Sequence, residues 1–519
     1  MRMKTITIFM LAVFVFSLVS AQTALAYSSI HDLKDNITEI YPKLDDGLYS
    51  SSAEREAVKL VLYEFGYKFE NTKTLIKFYS GQSFLPLWLD TKKPGKKVKT
   101  ALAVLQDSWS HGLNPRVYKV QPLKKVADSL GDQNSAVLRA VFEVYLSDSL
   151  ISYIKDITGN RVDPASVGID ASHLRKPVKV QKILEQIVRQ KDVGTVTNSL
   201  LPDNVLYEEL RFALKRLVQT GHGGANKTFQ ANATYKNHHK IKQIIANLER
   251  LRWIDFKRPE KYIVINVPSA RLWAISDNKI NLGMPVVVGR RDRPTKSFVA
   301  SIKGVRFNPS WTLPPSIMAQ DILPKIQDNP DYLKENNITL YDGYGTDAHK
   351  VDPDKVNWQR VSSGGILRFK MVQAPGKDNP LGQVRFLMFN EFDIYLHDTN
   401  TPSLFSKPFR ARSSGCVRVL DALHLVEFVM EDMEGWSQGD AKAHVRENRE
   451  RNIYSDQDIP VYILYLTIWI REDGTLEYGQ DLYGHDDRMI RNLDHKNAIF
   501  EFNHSSIALS HRSDDSGKS

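Results

Sequence analysis

The chain has 519 residues, of which 42% are hydrophobic, 10% aromatic and 25% charged, with a formal net charge of +10. This is too long for one ordinary domain and too apolar for a fibrous or disordered chain, so several packed domains are expected. The single cysteine, Cys416, excludes an internal disulfide framework and every multi-cysteine zinc or iron–sulfur site.

Residues 1–26 read as a cleavable export signal. Arg2 and Lys4 precede an apolar run from Ile6 to Val19, and Ala24-Leu25-Ala26 supplies a small-x-small cleavage pattern. The run falls short of the ~20 residues that a spanning helix needs, which disfavours the alternative of an uncleaved inner-membrane anchor. Loss of the two signal-peptide charges takes the balance from +10 to +8. The remaining charge is spread along the chain without Lys/Arg tracts interleaved by aromatics, so anionic wall polymer or lipid headgroups suit it better than nucleic acid.

From 27 to 219 the apolar spacing is helical. Ser135–Ile157 repeats apolar residues at three and four before Gly159, and Ala57–Phe65, Val98–Leu105, Val180–Val188 and Val205–Val218 behave likewise. No acids, histidines or glycines are grouped for chemistry there, so the segment is expected to be a helical scaffold. Thr220–Asn226 opens a linker over 220–235. A connecting helix over 236–260 follows, with Ile241, Ile244, Ile245, Leu248 and Leu251 on one face and Lys240, Lys242, Arg250 and Arg252 elsewhere. His238 and His239, adjacent on a helix, point apart and read as a solvated terminus, not a metal pair.

After Arg258 the period becomes two. Tyr262–Val267, Arg271–Ile275 and Met284–Val288 read as strands, and Leu367–Ala374, Val384–Phe389 and Asp393–Leu396 continue a β-rich domain over 261–440. The proline-rich, irregular stretch of about 309–361 reads as a lid insertion. Residues 441–495, with Pro460–Ile470, the Asp473-Gly474 turn and Thr475–Gly479, suggest a β extension packing on the core, and 496–519 a polar tail. The expected class is multidomain α+β: a helical N-terminal scaffold, then a β-rich catalytic domain with a capping insertion.

The chemistry concentrates in two segments. Tyr395-Leu396-His397-Asp398-Thr399 ends a strand in a histidine, and Ser413-Ser414-Gly415-Cys416-Val417-Arg418 brings the cysteine 19 positions later. A lone cysteine is most often a small buried hydrophobe and a lone histidine a satisfied core or surface residue. Small residues beside a thiol, however, let a substrate carbonyl approach free backbone N–H groups, and a nearby imidazole can take the thiol proton and lower its pKa. Histidine before cysteine also argues against papain-like peptidases.

These residues resemble the paired signature of the YkuD-type L,D-transpeptidases, in the large periplasmic YcbB-like branch. Val287-Val288-Gly289-Arg290, Asn308-Pro309-Ser310-Trp311, Pro314-Pro315, Asp321–Lys325, Ala374-Pro375-Gly376 and Leu381-Gly382 extend the likeness over about Ala246 to Gly484. Pro86-Leu87-Trp88 and His111-Gly112-Leu113 match more weakly. The resemblance implies a periplasmic acyltransferase that attacks the diaminopimelate–D-alanine bond of a tetrapeptide stem. It would release D-alanine, hold the stem as a thioester and join it to a second stem as a diaminopimelate–diaminopimelate cross-link. Carried over, Cys416 is the nucleophile and His397 the general base. The N–H groups of Gly415 and Cys416 form the oxyanion hole, Ser414 and Tyr395 support it, and Arg418 and Trp311 bind substrate. Arg418 either meets a stem carboxylate or holds Asp398. The chain has Ser414-Gly415 where many relatives have His-Gly, which leaves the third member of a triad unassigned; a backbone carbonyl can orient His397 instead. The branch's small peptidoglycan-binding module is expected to be missing, since only Thr220–Tyr235 occupies its place.

No cofactor and no metal are expected. The expected partners are donor and acceptor stems, with possible contacts to other wall synthases, and a carbapenem is expected to acylate Cys416. Two rivals remain: an L,D-carboxypeptidase or hydrolase using the same thioester, and a noncatalytic wall-binding scaffold protein.

Overall fold

A computed structural model of the chain describes residues 69–495, apart from 82–85, 90–93, 131–135, 170–176, 191, 220–226 and 255–258. The export signal, the amphipathic stretch Ala57–Phe65, the glycine-rich start of the linker and the tail lie outside the described residues.

The periodic stretches form helices at Lys96–Asp107, Ala136–Ile157, Val180–Gln190 and Val205–Gln219, with further helices at Thr72–Gly81, Val120–Ser129 and Val193–Asn198. Leu75, Phe78, Leu105, Leu123, Leu146, Ile154 and Leu184 share one core. Glu143 is buried in it because it accepts hydrogen bonds from the backbone N–H groups of Leu87 at 2.5 Å, Trp88 at 3.1 Å and Leu89 at 3.2 Å, and from the Tyr79 hydroxyl at 2.9 Å. Burial raises its pKa to about 7 against those bonds. The Pro86-Leu87-Trp88 motif is thus an anchor for the scaffold, and the Trp88 indole N–H adds a bond to Ser147 at 2.8 Å.

The connecting helix spans Lys227–Trp253, so it begins inside the stretch expected as linker. The physical reason is the absence of Gly or Pro between Lys227 and Trp253. Arg250 and Arg252, expected outside the apolar face, are 2% and 1% exposed. They do not contribute to a basic surface. Arg252 donates to Glu249 at 2.5 Å and to the His111 carbonyl; Arg161 approaches Glu249 at 3.4 Å, and Arg250 pairs with Asp486. Through the connecting helix they link the scaffold, at His111 and Arg161, to the C-terminal half, at Asp486. Around them Tyr207, Leu214, Ile244, Leu248, Trp253, Leu464 and Met489 form a second core between the two. Gly159 follows its helix in the left-handed region, φ 89°, and the Trp253 indole fills the space a side chain would need.

Among the described residues nine strands make the main sheet: β1 Lys261–Asn266, β2 Arg271–Ser276, β3 Lys279–Gly289, β4 Phe298–Phe307, β9 Val384–Met388, β10 Leu396–His397, β11 Ala411–Ser413, β12 Val417–Val419 and β13 Arg451–Leu464. Their order is β11-β3-β12-β10-β9-β4-β13-β1-β2, and a further pairing brings β2 back onto β3. This closure pairs both sides of β2 and leaves the short β11, held by β3 alone, at the edge. The strand β13 pairs with β1 and β4 inside the sheet, so the chain after 440 completes the catalytic core instead of packing on it. Ile459, Val461 and Ile463 supply the reason: they alternate into the same core as Ile263, Val286, Phe307 and Leu396. The expected turn at Asp473-Gly474 joins β14 Ile468–Ile470 to β15 Leu476–Tyr478 as a separate hairpin.

The lid has its own core of Leu313, Met318, Ile326, Ile338, Leu340, Trp358, Phe369 and Met371. Its sheet runs β5-β8-β6-β7, built from β5 Trp311–Thr312, β6 Ile338–Tyr341, β7 Lys350–Val351 and β8 Lys370–Gln373. The strand expected over Leu367–Ala374 therefore belongs to the lid, between β5 and β6, and carries the insertion past 361 to Gln373. Periodicity identifies a strand but not its partner.

Candidate active site

The strand β10 runs parallel to β12 with Leu396 opposite Val417 and His397 opposite Arg418. On its other side β9 sets Arg385 opposite His397. The Val417 N–H donates to the Tyr395 carbonyl at 3.1 Å, which extends the ladder one step toward Cys416. Side chains alternate along each strand. Leu396, Val417 and Val419 point into the main core, so Tyr395, His397, Cys416, Arg418 and Arg385 share the opposite face. Nineteen residues of separation thus become two positions of register.

His397 is buried, and its Nδ1 lies 2.5 Å from the Asp398 carbonyl oxygen. A carbonyl only accepts, so Nδ1 carries the proton and Nε2 is the basic nitrogen. The Asp398 backbone therefore orients the ring as a third triad member would. Its carboxylate is engaged elsewhere, accepting from the Gln383 N–H at 2.8 Å. Arg418 donates to Thr399 Oγ1 at 3.2 Å and does not hold Asp398.

Cys416 is partly exposed, and its thiol donates to the Asp393 carbonyl at 3.7 Å, not to His397. Burial pushes the thiol pKa up, partly offset by the Tyr395 N–H and hydroxyl and by Arg385 and Arg418. Burial and then the Arg418 and Arg385 charges drive His397 down to about 3. The free site therefore rests as a thiol beside a neutral imidazole, and the expected imidazolium that lowers the thiol pKa is not its resting state. Two guanidinium charges oppose any imidazolium.

The Gly415 N–H, expected in the oxyanion hole, donates to Ser413 Oγ at 3.2 Å, while the Ser413 hydroxyl donates to the Cys416 carbonyl at 2.6 Å. Gly415 holds φ 117°, a left-handed value that turns its peptide inward, and its carbonyl accepts from Thr295 Oγ1 at 2.7 Å. Ser414 is exposed and bonded to Arg293 at 3.0 Å, so it does not face the thiol. Tyr395 interacts with both the Cys416 thiol and the Trp311 indole, and its ring centroid lies 5.8 Å from that of His397. Trp311 opens the lid's first strand, so this contact is where the lid meets the Cys416 site.

Arg385, Arg293 and Thr295 escaped the sequence reading. Arg385 had a signal: in Val384–Met388 it alternates with Val384, Phe386 and Met388, all buried on the core side. Arg293 and Thr295 had none, because the residues beside the thiol that they bond, Ser414 and Gly415, lie 121 and 120 positions away.

Residues 260–451 match the model of the YkuD L,D-transpeptidase catalytic domain, and residues 73–214 match the Scaffold domain. The chain thus carries a YkuD-family L,D-transpeptidase catalytic domain behind a helical scaffold, the YcbB-like arrangement. It is 27% identical over 457 residues to a Haemophilus influenzae protein named "Putative L,D-transpeptidase", covering 86% of both chains. Among solved structures it is similar to the Ldtfm–avibactam carbamoyl enzyme and to an L,D-transpeptidase from Mycobacterium smegmatis. Each is 11% identical over 40% of this chain with a TM-score of 0.19, spanning 49% and 58% of those chains respectively. Overlap that weak assigns no residue roles.

The support of His397 is open to a direct check. Gly382 holds φ 61°, and a Cβ there would run into the Asp398 carboxylate and the Thr399 N–H. Gly382→Ala is expected to displace the Asp398 peptide and slow acylation of Cys416 at least about tenfold, a few tenths of an ångström of ring misplacement being enough, while left-handed strain costs about 1–2 kcal/mol. Single-turnover acylation beside a thermal melt separates the two effects. A full acylation rate would show that this loop does not set the ring.

Proposed function

We propose that the chain is exported and acts in the periplasm as a peptidoglycan L,D-transpeptidase, forming diaminopimelate–diaminopimelate cross-links. The observation that carries the reading is the shared face of Tyr395, His397 and Cys416, with His397 Nε2 left as base by the Nδ1 bond to Asp398. The thiol attacks the carbonyl of the diaminopimelate–D-alanine bond as Nε2 takes its proton. The resulting oxyanion lies by the Cys416 N–H and the Tyr395 hydroxyl, each donor of this kind being worth roughly 2.7–4 kcal/mol. Nε2 then hands the proton to the departing D-alanine amine, leaving a thioester. An acceptor amine then attacks the thioester carbonyl and gives its proton to Nε2; the new amide forms as the C–S bond breaks, and the thiolate takes that proton back as the thiol. Trp311, reaching Tyr395 from the lid, covers the thioester against water.

Product analysis tests this. Purified chain incubated with tetrapeptide-bearing muropeptides is expected to yield the diaminopimelate-linked dimer and free D-alanine. D-Alanine without dimer would make the chain a carboxypeptidase, and neither product would make it a noncatalytic scaffold protein.

A further inference from the structure

Arg385 and Arg418 are an unusual pair. They stand on β9 and β12, on either side of His397 in the same row of the sheet. The Nε of each is buried without a hydrogen-bond partner, and neither forms an ion pair with a carboxylate among the described residues. The Arg385 guanidinium lies over the Tyr395 ring, 4.1 Å from its centroid, which fixes its plane and leaves its edge free. A partly buried guanidinium without an anion is poorly compensated. Two of them flanking a catalytic imidazole indicate that the anion arrives with the substrate.

The geometry says which anion. The scissile carbonyl must sit at Cys416, two register positions along β10 from His397 and on the same face. The departing nitrogen must sit at His397 Nε2, which protonates it. The α-carboxylate of the departing amino acid is two bonds beyond that nitrogen and so falls in the row of Arg385 and Arg418. We infer that Arg385 and Arg418 form a clamp for the α-carboxylate of the amino acid that departs from the donor stem as Cys416 is acylated. Arg385, which carries no role in the catalytic signature, is the new member, and the assignment rests on the transpeptidase reading above. The acceptor fits the same clamp, because the attacking amine of diaminopimelate is also α to a carboxylate. Donor and acceptor thus present one group, an α-amino carboxylate, to one place in turn.

The clamp also couples recognition to base strength. The groups that face His397 are Arg385 from β9, Arg418 from β12, Tyr395 from its own strand and the Asp398 carbonyl next to it. A bound carboxylate neutralises the two positive charges among them and so favours protonation of Nε2 when a substrate is present.

The test compares a tetrapeptide donor ending in D-alanine with the same peptide ending in D-alaninamide, following acyl-enzyme by intact-protein mass spectrometry. The wild-type chain is expected to favour the free acid by about tenfold or more in KM, the worth of one charge-assisted hydrogen bond. Arg385→Met is expected to erase most of that preference by raising KM for the acid toward that of the amide, and Arg385→Lys to restore part of it. Alkylation of Cys416 by iodoacetamide in each variant reports that the fold and thiol are intact. Retained preference for the acid in Arg385→Met overturns the clamp while leaving the transpeptidase reading in place. Absence of wild-type acylation by either peptide overturns that reading and the clamp with it.

Discussion

Cys416→Ser is expected to abolish covalent capture: intact-protein mass spectrometry of the wild-type chain with a carbapenem shows one adduct, and the serine variant shows none. The reason lies in the acidity of the group. A thiol, even with its pKa raised by burial, loses its proton far more readily than a hydroxyl, and His397, held near 3, is too weak a base to compensate. His397→Gln should retain slow capture, reduced by the 10²–10⁴-fold typical of a lost general base. The same electrostatics predict how the free thiol titrates. With a neutral imidazole beside it from about pH 3 upward, alkylation of Cys416 by iodoacetamide should climb only as pH rises through and above the ordinary thiol range, with no reactive plateau at pH 5–7. A plateau there would establish a preformed thiolate–imidazolium pair and overturn the resting state described above. An adduct on the serine variant would move the nucleophile away from Cys416.

The second large effect is expected at Glu249, far from the chemistry. Its carboxylate is fully buried between Arg252 at 2.5 Å and Arg161 at 3.4 Å, and Arg252 reaches on to the His111 carbonyl. Glu249→Ala removes the carboxylate that two buried guanidinium groups share where the scaffold meets the connecting helix. Breaking a buried pair in this way costs about 3–5 kcal/mol. The urea midpoint of the helical signal should fall accordingly. A midpoint within experimental error of wild type would mean that water compensates the arginines and that the apolar core holds the two halves alone. Replacement of all three by apolar residues of matched volume should cost much less than the single change, since a buried ion pair adds little over good packing.

Much of the architecture was legible in order of residues alone. A spacing of three and four marked Ala136–Ile157 and Val205–Gln219 as helices, a spacing of two marked β1, β2 and β9, and the prolines around Pro314 and Pro315 marked the insertion. The signature around His397 and Cys416 pointed to a thiol acyltransferase. These features are local: each is written in residues within a few turns or one strand of one another, so the chain's own covalent order carries them.

What stayed hidden depends on pairings across the chain. The strand at Lys370–Gln373 reads the same whether it joins the main sheet or the lid, and β13 reads the same as an appendage or as the neighbour of β1 and β4. Arg250 and Arg252 look like solvated charges until Asp486, Glu249 and His111 are brought to them. Burial then reverses the charge state expected of His397 and Cys416, because desolvation and two arginines on neighbouring strands act on His397 together. Residue types and spacing name the reacting atoms. Their protonation, the donors left for an oxyanion and the cations awaiting a carboxylate follow from long-range register, which no local pattern encodes.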